Sequence, residues 1–192
     1  MKQNVAKNII TAAAPLIYRQ GFHRTGLKEI LDAAEVPKGS FYFYFKSKED
    51  FGLALIDHYA QALSENVSLK GAAGDASALR RLRKAFETHR DIRASEGCEG
   101  GCPLGNLAQE MSDLSARMRE RLQQALGSIG SGIASLLREA QGQGDIPKSL
   151  DPDQTAGFIL DAWEGALLRM KTEKNVEPLD RFLDFVFGKI LT

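Results

Sequence analysis

Apolar residues along this chain recur at three- and four-residue spacings almost from end to end, and no stretch alternates apolar with polar over the length of a strand. That pattern restricts the chain to helices packed on helices, an all-α fold. At 192 residues it can form one large helical domain or a small domain docked on a larger one. Start and stop signals divide it into about nine or ten helices.

The first helix spans residues 3–20, with an apolar face of Val5, Ile9, Ala12, Ala13, Leu16 and Ile17. Gly21 fits the left-handed stop behind it. Pro15 lies inside, where a lost backbone bond typically costs ~3 kcal/mol and predicts a kink. A short helix over 26–34 follows, capped by the Thr25 hydroxyl and burying Leu27, Ile30, Leu31 and Ala34. Glu35-Val36-Pro37 makes a tight corner into a third helix over 38–44. Ser47 and Asp50 form a cap-like pair opening a helix over 48–68, with Phe51, Leu55, Tyr59 and Leu63 along one face.

Gly71–Gly74 reads as a loop, and Asp75 as the cap of a helix to residue 94 with Leu79, Leu82, Phe86 and His89 inward. Residues 95–102 read as a flexible loop, and Pro103 as the start of a short helix. A long helix is predicted from Ser112-Asp113 to residue 142, presenting Leu114, Met118, Leu122, Leu126, Ile129, Ile133, Leu136 and Leu137. Asp151-Pro152 opens the next, with Ile159, Trp163, Ala166, Leu167 and Met170. Pro178 opens the last, where Leu179, Phe182, Leu183, Phe185, Val186, Phe187 and Ile190 leave hardly a polar side. Such a helix must bury two faces, and a second subunit supplies the second most simply. The terminal helices, 151–172 and 178–190, are therefore expected to pair across a two-fold axis as a four-helix bundle, making a homodimer.

Net charge is zero, but it is unevenly placed: residues 1–48 carry eight Lys/Arg against three acids, and the rest of the chain is acidic. Any polyanionic partner is thus expected at the first quarter. No apolar run approaches the roughly 18 residues of a membrane span, and the opening residues lack an apolar signal core. With two cysteines, Cys98 and Cys102, there is no disulfide framework, so the expected compartment is the cytoplasm.

The third helix concentrates this bias. Lys38-Gly39-Ser40-Phe41-Tyr42-Phe43-Tyr44-Phe45 is two turns long; Phe41 and Phe45, four apart, should point inward, which turns Lys38 and Tyr42 outward with Ser40, Phe43 and Tyr44 beside them. Basic and hydroxylated groups on a helix that fits the major groove can reach phosphates and base edges. Gly39 permits close approach of the backbone to the sugar-phosphate chain.

Residues 5–52 resemble the DNA-binding domain of the tetracycline-repressor (TetR) family. The matching elements are Gly21-Phe22, Thr25, Leu27 through Ala34, Val36 through Phe45 and Lys46-Ser47-Lys48-Glu49. The resemblance implies a three-helix helix-turn-helix head over 1–47, with a helical effector-binding and dimerisation domain over 48–192. It implies that Thr25 caps the second helix and touches phosphate. Lys28 and Lys38 would face groove or backbone, Gly39 and Ser40 base edges, Tyr42 and Tyr44 phosphates or bases, and Lys48 the DNA backbone. Three positions depart from the pattern: Gly26 where a hydroxyl is common, Glu35 where the turn usually carries glycine, and Pro15. Gly101 through Glu110 is similar to a segment in one branch of the family.

The implied partners are double-stranded operator DNA and a small-molecule effector, with no cofactor and no metal. An effector pocket between the middle helices would be lined by Phe86, His89, Leu107, Met111, Leu122, Phe158, Trp163 and Leu167, although each also suits ordinary core packing. Cys98 and Cys102 are open to three readings: inert thiols, an electrophile or redox sensor, or a metal pair. No nucleophile motif or phosphate loop points to an enzyme. The rival class is a helical adaptor that binds only proteins; it leaves the cationic, tyrosine-bearing helix without a use.

Overall fold

Every regular element among the described residues is helical. The computed structural model describes residues 2–66 and 77–192, apart from the side chains of residues 2–4, 38 and 64–66. In chain order the helices are α1 (Lys2–Gln20), α2 (Leu27–Ala33), a 3₁₀ turn (Lys38–Ser40) leading into α3 (Phe41–Tyr44), α4 (Lys48–Asn66), α5 (Ala78–Ser95), α6 (Pro103–Met111), α7 (Ala116–Gln143), α8 (Pro152–Glu173) and α9 (Glu177–Phe185), which closes in a π turn (Val186–Ile190). The Gly71–Gly74 loop, the Asp75 cap and the far end of the fourth helix lie outside the described residues.

The chain divides into two units, one of residues up to Ala62 with Pro103–Ala125, the other of Leu63–Cys102 with Leu126–Thr192. In the first, Phe22, Phe41, Phe45 and Phe51 form one aromatic core with Ile9, Ile17, Ile30 and Leu55. Gly52 is required by that packing: a Cβ there would lie 2.8 Å from Phe22 Cζ. The Tyr59 hydroxyl donates to the Ala14 carbonyl at 2.6 Å, joining α4 to α1, and burial pushes its pKa up. α1 continues through Pro15, whose ring lies exposed.

In the second unit, Phe86 of α5, Trp163 of α8 and Phe182 of α9 meet pairwise at 4.9–5.0 Å, with Phe187 against Phe86 at 6.2 Å. α5 is capped by Ser77, whose hydroxyl accepts from the Arg80 N–H, and α8 by Asp151, which accepts from the Asp153 and Gln154 N–H groups. Both satisfy donors that a helix start leaves without partners.

Several expectations are corrected. The long helix begins after Ser115, not Ser112: Ser115 Oγ accepts from the Met118 N–H, and Leu114, left in the preceding turn, is exposed. Residues 95–98 complete the end of α5. Cys98 N–H donates to the Arg93 carbonyl and Gly97 N–H to that of Ala94, closing α5 with the paired bonds of a Schellman motif. α9 is more one-sided than its composition suggested: Leu179, Phe182 and Leu183 are buried, while Arg181, Asp184 and Phe185 face outward.

Candidate nucleic-acid interface

The head is positioned by two turns, and both account for their backbone groups. α1 ends at Gly21 (φ +92°), whose N–H donates to the Ile17 carbonyl at 2.8 Å. α2 ends at Glu35 (φ +55°), with Glu35 N–H donating to the Asp32 carbonyl and Val36 N–H to that of Leu31. The left-handed Glu35 expected from the sequence is thus present, at a cost of about 1 kcal/mol that glycine would avoid.

α3 places its aromatics on opposite sides. Phe41 and Phe45 are buried against Phe51, as the four-residue spacing predicts. Tyr42 is 67% and Phe43 59% exposed. Tyr44 is half-buried and meets Phe43 edge-on at 5.1 Å. Ser40 is half-buried and Gly39 exposed; a Cβ at Gly39 would meet nothing within 4 Å among the described residues. Lys28 and Lys46 are exposed, and the Lys38 side chain lies outside the described residues.

Two residues assigned to DNA by sequence are otherwise engaged. Thr25 does not cap α2. It is fully buried, donates from its hydroxyl to the Gly21 carbonyl at 2.6 Å and accepts from Gln20 Nε2 at 3.2 Å, which leaves no exposed oxygen for a phosphate. The cap position falls to Gly26, whose N–H donates to Glu29 at 2.7 Å; this bond, with help from Gln20, holds the Glu29 carboxyl below its usual pKa. Lys48, which is half-buried, is tied to the turn as well. Its ammonium donates to the Phe22 and His23 carbonyls at 2.7 and 3.1 Å and sits over the Phe22 ring, and desolvation lowers its pKa. Sequence reasoning missed Glu110 of α6, which accepts the N–H groups of the same two residues. Its signal was faint: a carboxylate in the last turn of a short helix, where the helix dipole disfavours it.

The eight proposed effector-lining residues fall in both units. Leu107, Met111 and Leu122 are buried in the first; Phe86, Trp163 and Leu167 are buried in the second, with His89 half-buried at 5.6 Å from the Trp163 ring. Phe158 does not line an interior: its ring is 52% exposed on α8. Burial, and then the Arg93 charge, lowers the His89 pKa to about 4, so the imidazole is neutral near pH 7. Cys98 and Cys102 are buried and not bridged. The Cys102 thiol donates to Glu164, a carboxyl that sequence reasoning also missed and whose pKa burial raises.

A short helix anchored by two phenylalanines and exposing Tyr42 and Phe43, set behind a tight turn from α2 in a head whose Lys28 and Lys46 are exposed, defines a helix-turn-helix DNA-binding transcriptional regulator. Residues 9–55 match the bacterial regulatory proteins of the tetR family, and residues 78–186 match the tetracyclin repressor-like C-terminal domain. The chain is 39% identical to the transcriptional regulator AcuR of Cereibacter sphaeroides, over 92% of this chain and 80% of that protein. It is 34% identical to the transcriptional repressor DhaR of a Mycobacterium species, over 97% and 92%. Among solved structures, a regulatory protein TetR from Rhodobacter sphaeroides superposes with a TM-score of 0.87 at 38% identity, covering 97% of this chain and 98% of that one. The reduced form of Escherichia coli NemR gives 0.84 at 30% identity, covering 96% and 97%. The chain belongs to the TetR family of transcriptional regulators. No helix among the described residues is long and apolar enough to cross a membrane.

Proposed function

We propose that this regulator is a repressor that binds operator DNA as a homodimer in the cytoplasm and leaves it when a small molecule binds its C-terminal domain. The observation that carries the reading is the exposure of Tyr42 and Phe43 on a helix whose Phe41 and Phe45 are sealed in the core. Exposed rings of that size cost free energy in water unless a partner covers them. In this reading the head is residues 1–47, and Lys28, Lys38, Gly39, Ser40, Tyr42, Phe43 and Tyr44 supply its contacts. Thr25 shapes the head from within, while Lys48, half-buried, braces the turn with two ammonium donors and keeps a third for the DNA backbone.

The dimer reading is supported by Phe158 and Leu168 of α8 and Phe185 of α9, all exposed in the single chain. A two-fold dimer must hold its reading helices about 34–36 Å apart to enter successive major grooves. A ligand that fits only a different spacing then weakens DNA binding by linkage. The test is binding to a duplex from upstream of its own gene, followed by a screen for small molecules that release it. Release without loss of the dimer is expected; a chain that stays a single subunit at every concentration contradicts the reading.

A thiol-triggered release is the second reading, favoured by the Cys102–Glu164 hydrogen bond. Modification of the Cys102 sulfur removes that donor and leaves a largely buried carboxyl without it. Unchanged electrophile-driven release in a Cys102→Ser variant would remove this reading.

A further inference from the structure

We propose that Glu110 is a positioning residue for operator binding: its carboxylate, reaching from α6, fixes the turn between α1 and α2 and so sets the direction in which the head presents α2 and α3. Both oxygens are used, one accepting the Phe22 N–H at 2.8 Å and the other the His23 N–H at 2.5 Å. The carbonyls of the same two residues are taken by the Lys48 ammonium. Three consecutive peptide units are thereby held, and the middle one, between Phe22 and His23, is bound from α6 on its N–H and from α4 on its carbonyl. The Glu110 and Lys48 charges also attract one another.

Three further observations show that the contact is specific. Glu110 sits one residue from the end of α6, a helix with no basic residue in its last turn. The helix carbonyls there repel a carboxylate, so the two N–H bonds offset a local cost. At Gly21 a Cβ would lie 3.3 Å from both Glu110 oxygens, so the turn backbone approaches the carboxylate more closely than most residues allow. The end of the turn is tied internally: the Thr25 N–H and hydroxyl both reach the Gly21 carbonyl, and Gly26 N–H reaches Glu29. Fixing Phe22 and His23 therefore fixes the start of α2.

The placement gives this contact its consequence. Glu110 lies in the part of the chain that matches the family's C-terminal domain, and Phe22 and His23 lie in the part that matches its DNA-binding domain. Polar ties from Ser115, Arg117 and Arg121 reach Glu49, Asp50 and Asp57 of α4. Glu110 instead reaches the turn of the head itself.

The proposal rests on α3 being the DNA-reading helix, and the experiment separates the two ideas. Wild type, Glu110→Gln and Glu110→Ala are compared as full-length protein on a duplex from upstream of the chain's own gene, with amide hydrogen exchange read at Phe22 and His23. Glutamine keeps the volume and one acceptor, so it loses one of the two bonds. Operator affinity is expected to fall about tenfold in Glu110→Ala and less in Glu110→Gln. Exchange at Phe22 and His23 should rise in the same order, while Ile30 and Leu31 stay protected and the dimer persists. Should the alanine variant fail to fold, the glutamine variant decides. Wild-type affinity in Glu110→Gln together with lost protection at either amide overturns the proposal, as does weakened binding with protection intact or with protection lost throughout α2. A wild type that ignores the duplex overturns both readings.

Discussion

Phe22, Phe41, Phe45 and Phe51 pack with ring centroids 5.3–6.5 Å apart in one unit, and Phe86, Trp163, Phe182 and Phe187 pack at 4.9–6.2 Å in the other. The two clusters are built alike and serve differently. In the second, the rings close on one another and a neutral histidine sits at their edge. In the first, the core rings hold a helix of four residues, too short to persist alone, so that Tyr42 and Phe43 can face outward. What distinguishes a reading surface from a core here is the side of the helix on which the rings fall, since the residue types are the same.

Phe41→Ala should break the first cluster most severely. Removing a fully buried ring typically costs about 3–5 kcal/mol, and the head's unfolding free energy should drop by a matching amount with loss of DNA binding. An unchanged thermal midpoint would mean that this ring does not anchor α3.

The second cluster is probed through His89. Its folded pKa of about 4 lies below the ordinary 6.5, so between those values the unfolded chain binds the proton more readily. Stability is therefore fully present above pH 6.5 and is lost as pH falls toward 4, by up to about 3 kcal/mol at about 1.4 kcal/mol per pH unit. Glu164, whose raised pKa favours the folded state at low pH, works in the opposite sense. Denaturant titrations of wild type and His89→Leu over this window isolate the histidine, and equal slopes with pH would contradict its burial as a neutral ring.

Tyr42→Ala sharpens the contrast within α3 itself, because Tyr42 adjoins Phe41 in sequence and faces the other way. Operator affinity should fall by about 1–3 kcal/mol, with folding stability within about 0.5 kcal/mol of wild type. A dimer that fell apart in this variant would place Tyr42 at the wrong interface. The smallest expected effect is at Glu35, where Glu35→Gly should relieve the left-handed backbone and stabilise the head by up to about 1 kcal/mol, visible as a higher thermal midpoint.

Legibility in the sequence followed the range of the interaction. Periodicity and caps act within four residues, so the helices, the Ser47 and Asp151 starts, the Gly21 stop and the inward Phe41 and Phe45 could all be read directly. Thr25 was misread because two caps compete at the start of α2; Glu29 reaches back to Gly26, and the threonine hydroxyl goes to the carbonyl four residues behind it. Glu110 and Lys48 escaped because their partners are 88 and 26 residues away from them along the chain. Periodicity says which face of a helix is apolar, but not which distant backbone a charged end will meet. The Glu164–Cys102 bond was hidden for the same reason.

The central claim, that the exposed tyrosine-bearing face of α3 meets duplex DNA with the lysines of the head, is tested most directly by the salt dependence of binding to the upstream duplex. Each phosphate neutralised adds a slope of about −0.9 to log affinity against log salt. A straight line several times steeper than that, made shallower by about one unit in Lys28→Ala, is the predicted result. An affinity that does not change with salt, or no affinity for duplex DNA at low salt, would contradict the account.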